Sequence, residues 1–417
     1  MQTYQSLVTD TPADFRVSTD AYRGEAIFRT EMERIFYRSW LFLCHESEIS
    51  AAGDFKSTML GDRPVIVARG SDGEIRAFIN ACTHRGATLC REETGNTRTF
   101  NCPYHGWSFS TSGELVGIVD RPRYPDDFDM SARNLQKVPQ VASYGGLVFG
   151  CFDPDVMSLD DYLGPAKRQI DLWVKRAAGM KYRALRPHRY AFDGNWKLQS
   201  ENVYDGYHAP FVHGSFFRTV QKFAGTFENR SLGVRHEGFT RGFPQGHGSL
   251  EAGVPFESAG VPEDVKQGYM ARLTELYGAS EAAEINLNRQ LLIFPNVVLF
   301  DFFIRVIQPI AHDRTEVYAY SMDIEGVPTP LNANRLMDTQ TRVGSAGVVS
   351  ADDFDVFAGT QNALRGGGLP EVTLSRGLGR ETIGPGGELV GAYTDETPQR
   401  AFWRRWAAQM DRQGVYA

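Results

Sequence analysis

Ala81-Cys82-Thr83-His84-Arg85-Gly86 and, about one hairpin further on, Asn101-Cys102-Pro103-Tyr104-His105-Gly106-Trp107 decide how this sequence is read. Together they form a C-x-H-x17-C-x2-H pattern in which each turn-like segment supplies one thiolate and one imidazole. That division suits a [2Fe-2S] centre whose one iron is held by Cys82 and Cys102 and whose other iron is held by His84 and His105. Exchanging two thiolates for neutral imidazoles raises the reduction potential of such a centre. Gly86 and Gly106 let the backbone turn closely and aim amides at the cluster sulfurs. The same four residue types can make a tetrahedral zinc site, but zinc sites usually pair Cys with Cys and His with His. The remaining cysteines, Cys44, Cys90 and Cys151, lie outside the pattern. Cys90 and Cys151 are expected as buried small apolar residues. An odd total of five cysteines, without a secretion signal, favours metal ligation over disulfides.

Outward from these loops, residues 41–155 alternate short apolar runs, such as Pro64 to Ala68 and Gly146 to Gly150, with Gly, Asp, Asn and Ser turns. This spacing predicts a small antiparallel β domain. At 417 residues the chain exceeds what one core usually serves. A larger domain is therefore expected over 156–417, with residues 1–40 as an N-terminal helical segment packing on it. Ile27, Met32, Ile35, Phe36 and Trp40 place an amphipathic helix in Asp20 to Trp40. Ala166 to Ala178 reads as helix. Tyr182 to Phe192, Leu291 to Phe300, Phe302 to Pro309 and Glu316 to Met322 read as strands of a second sheet. Glu396 to Met410 reads as a docking helix whose Trp403 and Trp406 are packing residues. The class is thus α+β. The glycine-rich stretch Thr226 to Ala282 is long and weakly patterned, as lids and mobile segments are.

A second cluster of ligand types lies in Gly194 to His213. Asp205 and His208, three apart, would share a helical face. His208 and His213 would diverge on an ideal helix, but Pro210 cannot donate to the Gly206 carbonyl and allows a kink that turns both imidazoles to one metal. Two imidazoles and a carboxylate on one face of Fe(II) leave positions open for dioxygen chemistry. The carboxylate must come from elsewhere. Asp353 is the candidate, in competition with Asp352 and with a capping role, since Ser350-x-x-Asp353 also fits a capping box.

A net charge of -7 gives no attraction to nucleic acid or anionic lipid. The most apolar long stretch, Gln290 to Pro309, is broken by Pro295, Asn296, Asp301 and Arg305, so no membrane span is expected. With neither a basic n-region nor an apolar h-region in Met1 to Arg16, a cytoplasmic location is expected. No G-x-G-x-x-G opens a βαβ unit, so reducing electrons would come from separate proteins.

Around the first site, Arg85, Gly86, Tyr104, Gly106 and Trp107 together with the four ligands resemble the Rieske family. Glu201 to His213 resembles the mononuclear-iron motif of Rieske ring-hydroxylating oxygenases, in their large (alpha) subunits, and Asp353 falls where that family places its third ligand. The resemblance implies a helix-grip, START-like catalytic domain. It also implies that Asp205 bridges an iron ligand to a Rieske histidine of a neighbouring subunit. A homotrimer follows, often α3β3 with a small β subunit, fed with NADH electrons through a reductase, with or without a ferredoxin. Glu201-Asn202-x-x-Asp205-Gly206-Tyr207-His208, Phe294-Pro295-Asn296-Val297 and Arg305-Val306-Ile307-Gln308-Pro309 look most like the enzymes acting on benzoate, anthranilate, p-cumate and salicylate. The implied reaction is cis-dihydroxylation of an aromatic carboxylate. A Rieske monooxygenase or demethylase is the alternative, and a metal-stabilised scaffold without turnover the third reading. Asn202, Val203, Ala209, Phe294 and Val349 are expected pocket residues. Arg305 is one source of a cation for the carboxylate, although the plainer expectation is a strand-face residue reaching solvent or paired with an acid.

Overall fold

The alternation of short apolar runs with Gly and Asp turns translates into strands throughout residues 36–161. The computed structural model describes residues 4–218, 237–255, 261–345 and 347–411. The chain divides into two compact units, Phe36–Asp161 and a larger one made of Met1–Ile35 with Tyr162–Ala417. In the smaller unit one antiparallel sheet runs in the order Ile75–Ile79, Arg63–Arg69, Asp54–Leu60, Thr94–Asn96. A second pairs Gln140–Tyr144, Leu147–Cys151 and Leu41–His45, and a third pairs Leu115–Gly117, Ser108–Ser110 and Thr99–Asn101. Val65, Ile66, Val67 and Ala68 are all buried, which explains a continuous rather than alternating apolar run. Phe55, Ile66, Phe78, Phe100, Trp107 and Phe109 form a core that also holds Cys82 and Cys102.

The larger unit carries a 10-stranded antiparallel sheet. Its order is Tyr182–Ala184, Arg314–Ile324, Phe303–Ala311, Val297–Phe300, Leu287–Ile293, Gly248–Pro255, Gly238–Gly242, Leu389–Ala392, Thr382–Ile383, with His188–Phe192 also paired to Arg314–Ile324. Two expected strands are corrected. Tyr182 to Phe192 is split around Arg186 and Pro187, a residue with no N–H for the ladder. Leu291 to Phe300 is a hairpin turning at Phe294 to Asn296, and it reads as one run because both strands are buried. Asp20 to Trp40 is also not one helix. It breaks at Gly24, where a Cβ would meet the Asp20 carbonyl at 2.9 Å, continues as Glu25–Glu31 and ends in a wider helical turn, Met32–Phe36.

Within Thr226 to Ala282, 226–236 and 256–260 lie outside the described residues; the remainder forms two strands and the helices Glu263–Tyr277 and Ala279–Ile285. Strong secondary structure therefore replaces much of the expected lid. The helix Thr397–Met410 docks as expected, but its tryptophans do more than pack. Trp406 Nε1 donates to Glu31 at 2.7 Å, a carboxylate that also accepts from Trp196 Nε1 at 2.8 Å and Lys197 Nζ at 2.6 Å. Trp403 Nε1 donates to Glu201 at 2.6 Å, and Tyr22 Oη does so at 2.7 Å. A buried carboxylate is tolerated only when such donors replace its water. The N-terminal helical segment, the Trp196–Asn202 helix and the C-terminal helix are thereby joined through two acids.

Candidate functional site

In the smaller unit the two loops are braced alike. Cys82 N–H donates to the Ala87 carbonyl at 2.8 Å and Gly86 N–H to the Cys82 carbonyl at 2.8 Å. Cys102 N–H donates to the Trp107 carbonyl at 2.7 Å and Gly106 N–H to the Cys102 carbonyl at 3.0 Å. Gly86 and Gly106 have φ of 72° and 70°, a left-handed conformation that side-chain-bearing residues rarely adopt. Both thiols are buried. The His84 and His105 rings lie 4.7 Å apart; His84 stacks on Trp107 at 4.7 Å and His105 on Tyr104 at 3.8 Å. The Nδ1 atoms of His84 and His105 are both buried without a hydrogen-bond partner. Orphaned atoms of this kind need an explanation, and iron ligation supplies one. Burial pushes the Cys82 thiol up, so its thiolate needs a cation's charge, while desolvation, His105 and Arg85 hold His84 below its ordinary value and so in the neutral, ligating form. The four side chains fit a [2Fe-2S] cluster.

In the larger unit the helix Trp196–Asn202 ends before the ligand-bearing stretch, which corrects the expected helical face for Asp205 and His208. Instead, the Asp205 carboxylate accepts from the backbone N–H groups of Tyr207 at 2.7 Å and His208 at 3.3 Å, tying down an irregular turn. A single helical turn, Ala209–Val212, follows, with His208 and His213 at its two ends. Pro210 sits in its first turn, where a missing N–H costs nothing, so it starts the turn rather than kinking a longer helix. The histidine rings stand 5.3 Å apart.

Asp353 comes from the helix Val348–Arg365. Its Oδ1 lies 3.6 Å from His208 Nε2 and 3.4 Å from His213 Nε2, and ligand atoms of all three residues fall within 4.8 Å of one another. The helix starts beyond Gly347, so Ser350 and Asp353 are inside it and the capping-box alternative fails. Asp352 takes a different position, with Oδ2 3.3 Å from His213 Nδ1. On the other side, Asp205 Oδ2 lies 3.6 Å from His208 Nδ1. Each histidine thus turns Nε2 toward the shared Asp353 and Nδ1 toward a further carboxylate, the arrangement by which metal-binding imidazoles are usually oriented. Burial disfavours a protonated His208, but the Asp205 hydrogen bond and charge and the Asp353 charge outweigh it and raise its pKa. Asp205 is correspondingly lowered, against its own burial. Two imidazoles and one carboxylate around one point, with the carboxylates of Asp205 and Asp352 behind the imidazoles, fit a divalent ion. Asn202 reaches the same point: its Nδ2 is 3.2 Å from His208 Nε2 and 3.2 Å from Asp353 Oδ1.

The expected pocket residues divide. Val203 is buried after the Trp196–Asn202 helix, Ala209 opens the turn between the histidines, and Val349 is half-buried on the Asp353 helix. Phe294 instead packs against Phe402, with ring centroids 5.3 Å apart. Arg305 does not reach solvent, being 7% exposed, and among the described residues it pairs with no acid; its Nη2 makes a 3.5 Å contact to Ser350 Oγ. The reason is its strand, in which consecutive residues from Phe303 to Pro309 are buried, so both faces are covered. The roles of Asp352, Glu31 and Glu201 are not legible in the sequence. Asp352 gave a signal only as the twin of Asp353, and the two glutamates gave none because their indole donors lie far along the chain.

This pairing of a loop-borne cysteine/histidine set with a two-histidine, one-carboxylate cluster is that of a Rieske-type oxygenase. A model of the Rieske [2Fe-2S] domain matches residues 39–139, and one of the ring hydroxylating alpha subunit (catalytic domain) matches residues 179–412. The chain belongs to the ring-hydroxylating alpha subunit family, enzymes that carry a [2Fe-2S] cluster and a mononuclear iron. Among its relatives, the toluate 1,2-dioxygenase alpha subunit of Pseudomonas putida is 34% identical over 89% of this chain and 83% of its own length. The 2-halobenzoate 1,2-dioxygenase large subunit of Burkholderia cepacia is 33% identical over 89% of this chain and 82% of its own. A solved naphthalene 1,2-dioxygenase with indole in its active site superposes with a TM-score of 0.86 at 28% identity, covering 99% of this chain and 96% of that one. No helix among the described residues is long and apolar enough to cross a membrane.

Proposed function

We propose that this chain is the terminal oxygenase subunit that cis-dihydroxylates the ring of an aromatic carboxylate, with electrons from NADH delivered by a separate reductase and ferredoxin. The observation that carries this reading is the His208, His213 and Asp353 cluster within 4.8 Å. Relatives named for toluate and halobenzoate support the substrate class. Cys82, His84, Cys102 and His105 hold the cluster, and His208, His213 and Asp353 hold the iron. When bound, the iron supplies activation of dioxygen, and the cluster supplies an electron to it. The chain's own residues set the conditions. Asp205 and Asp352 keep the imidazole Nε2 atoms turned to the ion. Asn202 points an amide at the same place. Val203, Ala209 and Val349 give a substrate apolar walls.

Asp205 also suits a link to a Rieske histidine of a neighbouring subunit, which makes a homotrimer, α3β3 with a small β subunit, the assembly we propose, in the cytoplasm. The reaction is tested by supplying labelled dioxygen with a surrogate reductase and benzoate. Both atoms of one dioxygen molecule in a cis-diol product support dihydroxylation. A single labelled atom, or loss of a methyl group from a methoxylated substrate, would instead establish a monooxygenase or demethylase.

A further inference from the structure

Among the described residues, most buried arginines in the larger unit pair with an acid, and Arg335 and Arg305 do not. Arg176 pairs with Asp301 at 2.9 Å, Arg289 with Glu251 at 2.6 Å, and Arg400 with Glu381. Arg335 lies over the Phe302 ring at 3.6 Å and the Tyr269 ring at 4.9 Å. Arg305 is equally buried, yet among the described residues no carboxylate lies within ion-pair distance of it. It has the 3.5 Å contact to Ser350 Oγ and the Phe303 ring at 5.6 Å, and its Nε is buried without a partner. Its cross-strand neighbours are Val298 and Ala319, neither of which can neutralise it. A charge shut away from water is normally matched by an opposite one.

The position of this cation gives it meaning. Ser350 lies on the Val348–Arg365 helix one turn before Asp353, and residues three apart on a helix lie on neighbouring parts of its surface. Ser350 Oγ is itself fixed by donating to the Val343 carbonyl at 3.2 Å. Nε and Nη2 are the edge of a guanidinium that takes a carboxylate side-on through two parallel N–H bonds. Here Nε is free and Nη2 makes only the long serine contact.

We propose that Arg305, backed by Ser350, receives the carboxylate of the aromatic acid and so fixes which edge of the ring faces the His208, His213 and Asp353 cluster. The assignment rests on the aromatic-acid reading given above and supplies the counter-charge that the fold omits.

The test uses the cluster- and iron-loaded enzyme and compares benzoate with benzamide, which has the same shape and no charge. Anaerobic calorimetry gives the affinities and steady-state oxygen uptake gives kcat/KM. In Arg305→Gln the benzoate-to-benzamide ratio of kcat/KM is expected to fall about 10- to 100-fold, through KM and affinity, with iron and sulfide content retained. Arg305→Lys restores part of the ratio because charge returns without the planar fork. Ser350→Ala lowers it a few-fold, about the effect of one weak hydrogen bond. A metal-replete Arg305→Gln enzyme with the wild-type ratio overturns the assignment. Should Arg305→Gln fail to fold, unchanged ratios in both Arg305→Lys and Ser350→Ala overturn it. A wild-type enzyme that oxidises neutral aromatics and no acid defeats the aromatic-acid reading and this assignment with it. A wild type that prefers acids, with variants that share the preference, defeats the assignment alone.

Discussion

Cys82, His84, Cys102 and His105 come from two loops held by the same pair of backbone hydrogen bonds, each with a left-handed glycine four residues after its cysteine. The ligand set of the larger unit, His208, His213 and Asp353, has no such repeat. His208 and His213 flank one short turn, Asn202 ends the preceding helix, and Asp353 arrives from a helix 151 positions beyond Asn202. In the first site local backbone geometry places the ligands; in the second, tertiary packing does, and outer carboxylates aim them. The first should therefore resist changes in its surroundings, and the second should depend on them.

The sharpest way to break this contrast is to remove ligands separately. His208→Ala or Asp353→Ala is expected to abolish oxygenation and lose the mononuclear iron while leaving the visible absorption of the [2Fe-2S] cluster intact. Cys102→Ser is expected to remove that absorption. Metal analysis and spectra of each variant check the claim, and loss of both centres from one substitution would show that the sites are not independent. Next in size is Asp205→Asn, which keeps the turn's shape but weakens the acceptor facing His208. Oxidation of the reduced cluster during a single turnover should slow about 100-fold, as followed by stopped-flow absorbance. A normal rate would deny Asp205 any part in coupling the centres.

Asp352→Asn isolates the outer carboxylate on His213. Iron affinity, measured by competition with a chelator, should weaken about tenfold while the cluster is unchanged. The smallest effect concerns Glu201, whose carboxyl burial pushes up to about 7 against the donations of Tyr22 and Trp403. A carboxyl raised in the folded state binds more protons there than in the unfolded chain. Stability should accordingly decline as pH rises from its ordinary value of 4.5 to about 7, and the loss is complete above that. Glu201→Gln retains an oxygen for both donors and should flatten this decline by about 1 to 3 kcal/mol, read as the difference in thermal midpoint between acidic and alkaline buffers. An unaltered slope would mean that another group governs it.

How much of this was legible in the sequence follows the same division. The loop ligands declare themselves because both partners of each Cys/His pair fall within four residues, and the small unit's strands show in its turn residues. His208 and His213 were legible as residue types but not in their local structure. Spacing alone makes Pro210 a kink inside a helix, whereas the chain is already out of helix at Val203 and uses the proline to start a new turn. Asp353 could not be separated from Asp352 by neighbours alone, since one residue of helical rotation decides which carboxylate meets both Nε2 atoms. Arg305 was expected to find water or an acid, because burial on a strand covered from both sides is a tertiary fact. The hairpin at Phe294 to Asn296 was hidden for the same reason: two fully buried strands carry no alternation.

The acids Glu31 and Glu201 have a practical consequence for anyone reshaping the enzyme. Because Trp403 and Trp406 deliver their indole protons to carboxylates bound to the helix that presents Asn202, trimming back the last helix would be felt as a disturbance at the iron rather than as a frayed end. Libraries aimed at altered substrate range can therefore look beyond the cavity walls, to aromatic positions near the extremities that no docking calculation would select.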